Sequence, residues 1–231
     1  MISIVAYLWK GVKLLTTPAL RPFVLIPLAI NLVLYSSALV LGYWYLDSWI
    51  TQAIPAWLHW LSWFIYPLFF IGFCIVGFFT FSLLANLIAA PFYAKLAAQT
   101  LIVINAPPLS SHEPSAIEVW RAELHRLRYF LTRTLPLLIL FLIPVVNLIA
   151  PLLWFVFSAW CVALEYFAFP LENRGVLFLQ QKEQLENMRL TALSFGGVVT
   201  LGQSLPLINI VIAPVAVIAA TLYTQARTMQ N

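Results

Sequence analysis

Charge is what this sequence has least of. Charged residues make up 9% of its 231 residues, with 12 Lys and Arg against 8 Asp and Glu, whereas a water-soluble domain carries about 25%. There are too few charges to coat a water-facing surface, so the bilayer must act as solvent for most of the chain. The scarcity also removes particular chemistries. Aspartate occurs once, at Asp47, and the three histidines, His59, His112 and His125, lie far apart. That inventory offers no two-carboxylate acid–base site and no metal-ligand spacing. His-Glu-x-x-His, Gly-x-Ser-x-Gly and a phosphate-cradling glycine loop are all missing. An enzyme is disfavoured, and no metal or cofactor is expected. The only cysteines, Cys74 and Cys161, sit inside apolar stretches. They give no disulfide framework and read as small buried hydrophobes. The net charge of +4 comes from cations scattered between apolar runs. It forms no basic patch for nucleic acid and fits cytoplasmic retention of Lys and Arg by a membrane protein.

What is abundant is apolar sequence, 63% of the chain. Residues 22–46 hold no charge and are long enough to span with some tilt. Residues 48–94 are also free of Lys, Arg, Asp and Glu, but the start of that run differs in kind. Trp49, Trp57, Trp60 and Trp63, with Tyr43, Trp44 and Tyr45 before them, mark an aromatic belt at one membrane face. Residues 47–61 are therefore expected to form an external turn and 63–94 a second span. Residues 3–17 place Ile4, Tyr7, Leu8 and Leu15 on an apolar side, with Lys10 and Lys13 off it. This suits a helix lying in the interface or one packed on the rest of the protein. Lys10 and Lys13 come too late for a cleavable signal peptide. Between the apolar runs, 114–133 reads as a cytoplasmic helix capped by Ser110 or Ser111, with Pro114 in its first turn.

Two further uncharged runs, 134–164 and 190–226, are long for one span and short for two. Each breaks near its middle, at Pro144-Val-Val-Asn147 followed by Ala150-Pro151, and at Pro206-Leu-Ile-Asn209 followed by Ala213-Pro214. A third echo, Asn86-Leu-Ile-Ala-Ala-Pro91, falls in the second span. This is an internal repeat. Proline removes a backbone donor and clashes with the preceding turn. Non-helical backbone at membrane depth survives only inside protein or beside a water-filled cavity. The runs therefore read as re-entrant hairpins, with two kinked full spans as the alternative. With hairpins, all 12 Lys and Arg share one side and the aromatic turn holds none, as the positive-inside rule prefers. The expected fold is all-α and integral to the membrane: two full transmembrane helices, two half-penetrating hairpins and cytoplasmic or interfacial helices.

Broken membrane helices can aim their N-terminal dipoles at anions. Arg21 follows Thr16-Thr17-Pro18-Ala19-Leu20 and immediately precedes the first span. A helix N-terminus supplies free N–H groups, and a guanidinium adds a permanently charged fork. Together they suit an oxyanion; otherwise Arg21 is an ordinary topogenic arginine on lipid phosphate. Arg121, Arg126, Arg128 and Arg133 form a second basic concentration, read either as an anion vestibule or as a solvated face. Glu165 ends the first hairpin, where it would pair with an arginine, take up a proton or face water.

These residues resemble the CysZ family of bacterial sulfate transporters from about residue 9 to residue 225. The resemblance rests on Trp9-Lys10-Gly11, Thr17-Pro18-Ala19-Leu20-Arg21-Pro22-Phe23, Ala85-Asn86-Leu87-Ile88-Ala89-Ala90-Pro91-Phe92, Ile149-Ala150-Pro151-Leu152-Leu153-Trp154-Phe155, Phe169-Pro170-Leu171-Glu172-Asn173 and Pro206-Leu207-Ile208-Asn209, in that order. It implies sulfate uptake across the bacterial inner membrane for cysteine biosynthesis. It also implies two spans plus two hairpins, and homo-oligomers built from dimers. The family's sulfate site, a Gly-Leu-Arg-Arg-like stretch, maps onto Ala19, Leu20 and Arg21. Ala19 replaces the glycine and Pro22 the second arginine. Ala19 restricts close backbone approach, while Pro22 offers neither N–H nor charge. A route through Arg128 and Arg133, past Glu165, to the breaks at Asn147 and Asn209 follows as an expectation. The other reading is a scaffold whose arginines hold membrane lipids.

Overall fold

The computed structural model describes residues 4–53, 55–106, 114–143 and 146–229. Those residues are mostly helical, with no strand among them. In chain order the helices are α1 (Ile4–Leu15), α2 (Pro22–Ala53), α3 (Ser62–Val103), α4 (Ala116–Leu140), α5 (Ala150–Glu172), α6 (Phe178–Glu186), α7 (Arg189–Gln203) and α8 (Pro206–Thr228). Short 3₁₀ turns occupy Ala56–Leu61 and Val146–Leu148. Four helical stretches are long and apolar enough to cross a membrane, on α2, on the 57–77 segment, on α5 and on α8. The protein is an all-α, multi-pass membrane protein.

The chain divides into two compact units. One comprises Met1–Arg21 with Tyr93–Asn231, the other Pro22–Phe92. In the smaller unit polar and aromatic contacts join α2 to the first part of α3. Tyr35 and Thr80 share a hydrogen bond of 2.9 Å, the Tyr66 hydroxyl donates to the Asp47 carboxylate, and the Tyr43 and Tyr66 rings stack at 5.5 Å. Among its described residues many large side chains are exposed, up to 83% at Tyr45 and 82% at Trp63. A surface this apolar is untenable in water and suits lipid or a second chain. Cys74 is exposed and Cys161 half-buried, both as free thiols, which corrects the expectation that protein buries them. An apolar sequence environment does not say whether protein or lipid covers a residue.

The larger unit carries the core. Phe167 on α5, Phe195 and Val199 on α7, and Val215, Val217 and Ile218 on α8 are fully buried. Small residues let the backbones close up: a Cβ on Gly196 would fall 1.7 Å from the Ala159 oxygen, and one on Gly11 would fall 2.8 Å from that of Val215. α1 therefore packs against α8, with Tyr7 edge-on to Tyr223 at 5.4 Å, while Val5, Trp9 and Val12 stay exposed. Gln203 donates to the Tyr166 hydroxyl, and Asn173 donates to the Ala94 carbonyl on the last part of α3. α5 ends in a Schellman motif: Gly175, at φ 72°, donates to Glu172, and Val176 donates to Leu171. The left-handed conformation is what requires glycine there.

Element bounds differ from the expected ones for physical reasons. α2 continues past residue 46 through the aromatic belt to Ala53, and α3 continues past residue 94 to Val103. Loss of apolar character ends a membrane segment, but it does not end a helix. α4 starts later than expected because its cap is Ser115, not Ser110 or Ser111, and Pro114 stands before the cap. Ser115 accepts from the Glu118 amide while the Glu118 carboxylate receives the Ser115 amide, a complete capping box. Residues 107–113, Pro144 and Val145 lie outside the described residues. Around the first break the chain leaves helix at Phe141 and re-enters at Ala150; around the second only Ser204 and Leu205 intervene. α5 and α8 have 23 residues each, about 34 Å at 1.5 Å per residue. That length permits either a full span or a slanted partial one.

Candidate functional site

The turn from α1 toward α2 is built by short-range bonds. Thr17 donates to Leu14, and Leu20 and Arg21 both donate their amides to the Thr17 carbonyl. Pro18 has no amide to give. Of the Ala19–Leu20–Arg21 trio, only the Ala19 N–H makes no backbone bond among the described residues. Ala19 and Arg21 are exposed, whereas Leu20 is completely buried. The turn thus presents one guanidinium and one free amide, and uses Leu20 as its anchor. In the sequence all three matched the family's site, with Arg21 as the clear ligand; nothing there marked Leu20 as buried.

The basic concentration on α4 separates into two roles. Arg126 is half-buried and acts as a structural tie. Its guanidinium donates to Glu172 Oε1 at 2.7 Å and to Gln181 Oε1 at 3.0 Å, and it pairs with Glu123 at 3.0 Å. Its carboxylate partner across helices is thus Glu172, at the end of α5, and not Glu165. Arg128 and Arg133 are exposed. Five residues apart, they point about 140° from each other around the helix. Arg133 stacks on Tyr129, with its guanidinium carbon 3.9 Å from the ring centroid; the Tyr129 hydroxyl accepts from Trp160 at 2.8 Å. Arg128 instead borders a shallow groove with Leu124, Leu127 and Leu131. The two arginines therefore do not converge on one point.

Glu165 is exposed on α5, seven residues before the helix ends at Glu172. Asn147 is exposed in the turn before α5, its amide bonded to Ile143. Asn209 is half-buried in the first turn of α8, its amide bonded to Leu205. No hydrogen bond joins the two asparagines among the described residues. The Asn147 amide in the first break is satisfied by backbone, which removes one cost of non-helical chain in an apolar medium. Asn209 and Pro214 lie inside α8, so the second break falls at Ser204 and Leu205, ahead of the position the sequence suggested, because Pro206 fits a first helical turn.

Sequence reasoning passed over Arg174. It donates to Gln225 Oε1 at 2.6 Å and to the Thr228 hydroxyl, tying the α5 end to α8. Burial pulls its pKa below the usual arginine value. The signal was present in Asn173-Arg174-Gly175, where a glycine after a helix places the preceding residue at a fixed corner.

The family described as sulfate transporter CysZ/etoposide-induced protein 2.4 matches residues 7–214. A sulfate transporter CysZ of Pseudomonas fluorescens is 39% identical over 226 residues, covering 94% of this chain and 90% of the relative. Proteins of the same description from Pectobacterium atrosepticum and Salmonella typhimurium are each 37% identical, again over 94% of this chain and over 82% and 89% of their own lengths.

Proposed function

Because the chain belongs to the sulfate transporter CysZ/etoposide-induced protein 2.4 family, we propose that it carries sulfate across a bacterial inner membrane, without chemical change to the solute, and feeds cysteine biosynthesis. The observation that carries this reading is near-full-length similarity to relatives described as sulfate transporters. The absence of an acid–base or nucleophile constellation from the sequence agrees with a transporter that is not an enzyme.

Sulfate is a dianion, and an apolar core rejects it unless donors replace its water. Capture falls to Arg21, whose fork matches two oxygens, with the Ala19 amide as a further donor. Leu20 holds the turn in place. From there the ion passes Arg128 or Arg133 on α4 and Glu165 on α5, and crosses beside Asn147 in the first break and Asn209 just past the second. In this reading α4–α5 and α7–α8 form half-penetrating hairpins, keeping every Lys and Arg on one side. The exposed apolar surface of the α2–α3 unit is covered by lipid and by further copies of the chain, built up from dimers.

The test is uptake of labelled sulfate into liposomes containing the purified protein, with Arg21→Ala beside the wild type. Uptake above empty liposomes, reduced several-fold by the substitution, is the expected result. Uptake left intact by the substitution would move the capture site elsewhere. No uptake from folded protein under imposed proton or voltage gradients would overturn autonomous transport in favour of a lipid-binding scaffold.

A further inference from the structure

A second cationic site lies in the larger unit, away from the Arg21 turn. The C-terminal ends of α5, α6 and α8 enclose a cavity of about 390 Å³. Phe167 and Tyr223 form apolar walls, Gln184 and Asn187 contribute amides, and Arg174 and Arg227 contribute two positive charges. No carboxylate lines it among the described residues.

Two arginines at helix C-termini have an ordinary explanation, compensation of the negative ends of the helix dipoles. That explanation accounts for little here. The last carbonyls of α5 already receive the Schellman bonds from Gly175 and Val176. Arg174 turns instead to side chains of α8, and its Nε–H is buried with no acceptor. An unmet buried donor is costly, and burial already disfavours this guanidinium's charge. The Arg227 side chain makes no hydrogen bond or ion pair among the described residues, although the residue is half-buried. Two guanidiniums with spare donors therefore border one cavity that has no negative group of its own.

We propose that this cavity binds a tetrahedral oxyanion between Arg174 and Arg227, as a site separate from the Arg21 turn. A guanidinium fork matches two oxygens of a sulfate or phosphate group. Arg174 is pre-positioned by Gln225 and Thr228, so ordering it costs little on binding. The volume exceeds what one such anion needs, and the apolar walls of Phe167 and Tyr223 would take the remainder of a larger molecule. The same phosphate chemistry occurs on a lipid headgroup, so free anion and lipid are the two sources to separate.

The site is independent of the transport reading, because binding can be read without flux. Full-length protein in detergent is dialysed against labelled sulfate and against labelled phosphate, and co-purified phospholipid is counted by mass spectrometry. Wild type is compared with Arg227→Ala, Arg227→Lys and Arg21→Ala. The expected result is a class of anion site that weakens about tenfold in Arg227→Ala and less in Arg227→Lys. Arg21→Ala leaves this class unchanged, and the unfolding temperature of Arg227→Ala matches wild type. A loss of about one phospholipid per chain in Arg227→Ala, with anion binding unchanged, supports the site with a headgroup as its source. If Arg227→Ala unfolds, Arg227→Gln, which keeps length and polarity, is read in its place. Wild-type anion binding and lipid content in the Arg227 variants would overturn the proposal, as would anion binding lost only in Arg21→Ala.

Discussion

A Cβ placed on Gly196 would stand 1.7 Å from the carbonyl oxygen of Ala159. α7 therefore lies on α5 backbone to backbone, and no side-chain adjustment relieves a larger residue there. Gly196→Ala is expected to force the helices apart and to cost about 3 kcal/mol, the upper end for overpacking. Gly197→Ala, whose new methyl would meet only the Phe155 ring at 4.0 Å, is expected to stay near wild type. Thermal unfolding of both variants in detergent compares them, and equal stabilities would refute backbone contact as the determinant of this packing.

Arg126 joins α4 to α5 and α6 through Glu172 and Gln181. Gln181 is buried to 1% exposure, so removing the arginine leaves its oxygen without this donor. Arg126→Ala is expected to destabilise by about 1–3 kcal/mol. Glu172→Gln, at the exposed end of the same network, is expected to cost less than about 1 kcal/mol. The two are ranked by denaturation midpoint, and a larger effect at Glu172 would reverse the assignment.

Leu20 and Arg21 are neighbours in sequence with opposite surroundings. Leu20→Ala removes a fully buried side chain and is expected to cost about 2–5 kcal/mol of stability. Arg21→Ala changes an exposed group and is expected to reduce sulfate uptake at an unchanged unfolding temperature. Measuring temperature and uptake on both variants separates anchor from ligand. An Arg21→Ala protein that unfolds early would make Arg21 structural.

The proposed hairpins place both breaks on a route back to the side they came from. Leu142 and Leu205 are exposed in the two breaks and serve as reporters. Introduced singly as cysteines, with Cys74 and Cys161 replaced by alanine, they are expected to resist a membrane-impermeant maleimide added from the side opposite Arg174. Rapid labelling from that side would establish full spans instead.

Much was legible in the sequence for a physical reason. A chain with one aspartate and four long uncharged runs cannot be solvated by water, so composition alone determined an all-α membrane protein. Pro151 and Pro206 open α5 and α8, so the two interruptions before them were readable, whereas Pro214 lies inside α8 and interrupts nothing. Arg21 stood out because a lone charge at the mouth of an apolar run has few places to go. Tertiary structure decided what depends on which faces meet. It buried Leu20 beside two exposed neighbours, spent Arg126 on Glu172 and Gln181, turned Arg128 and Arg133 apart, and brought Arg174 and Arg227 around one cavity. Local sequence sets the cost of a charge in an apolar medium, but long-range packing chooses its partner.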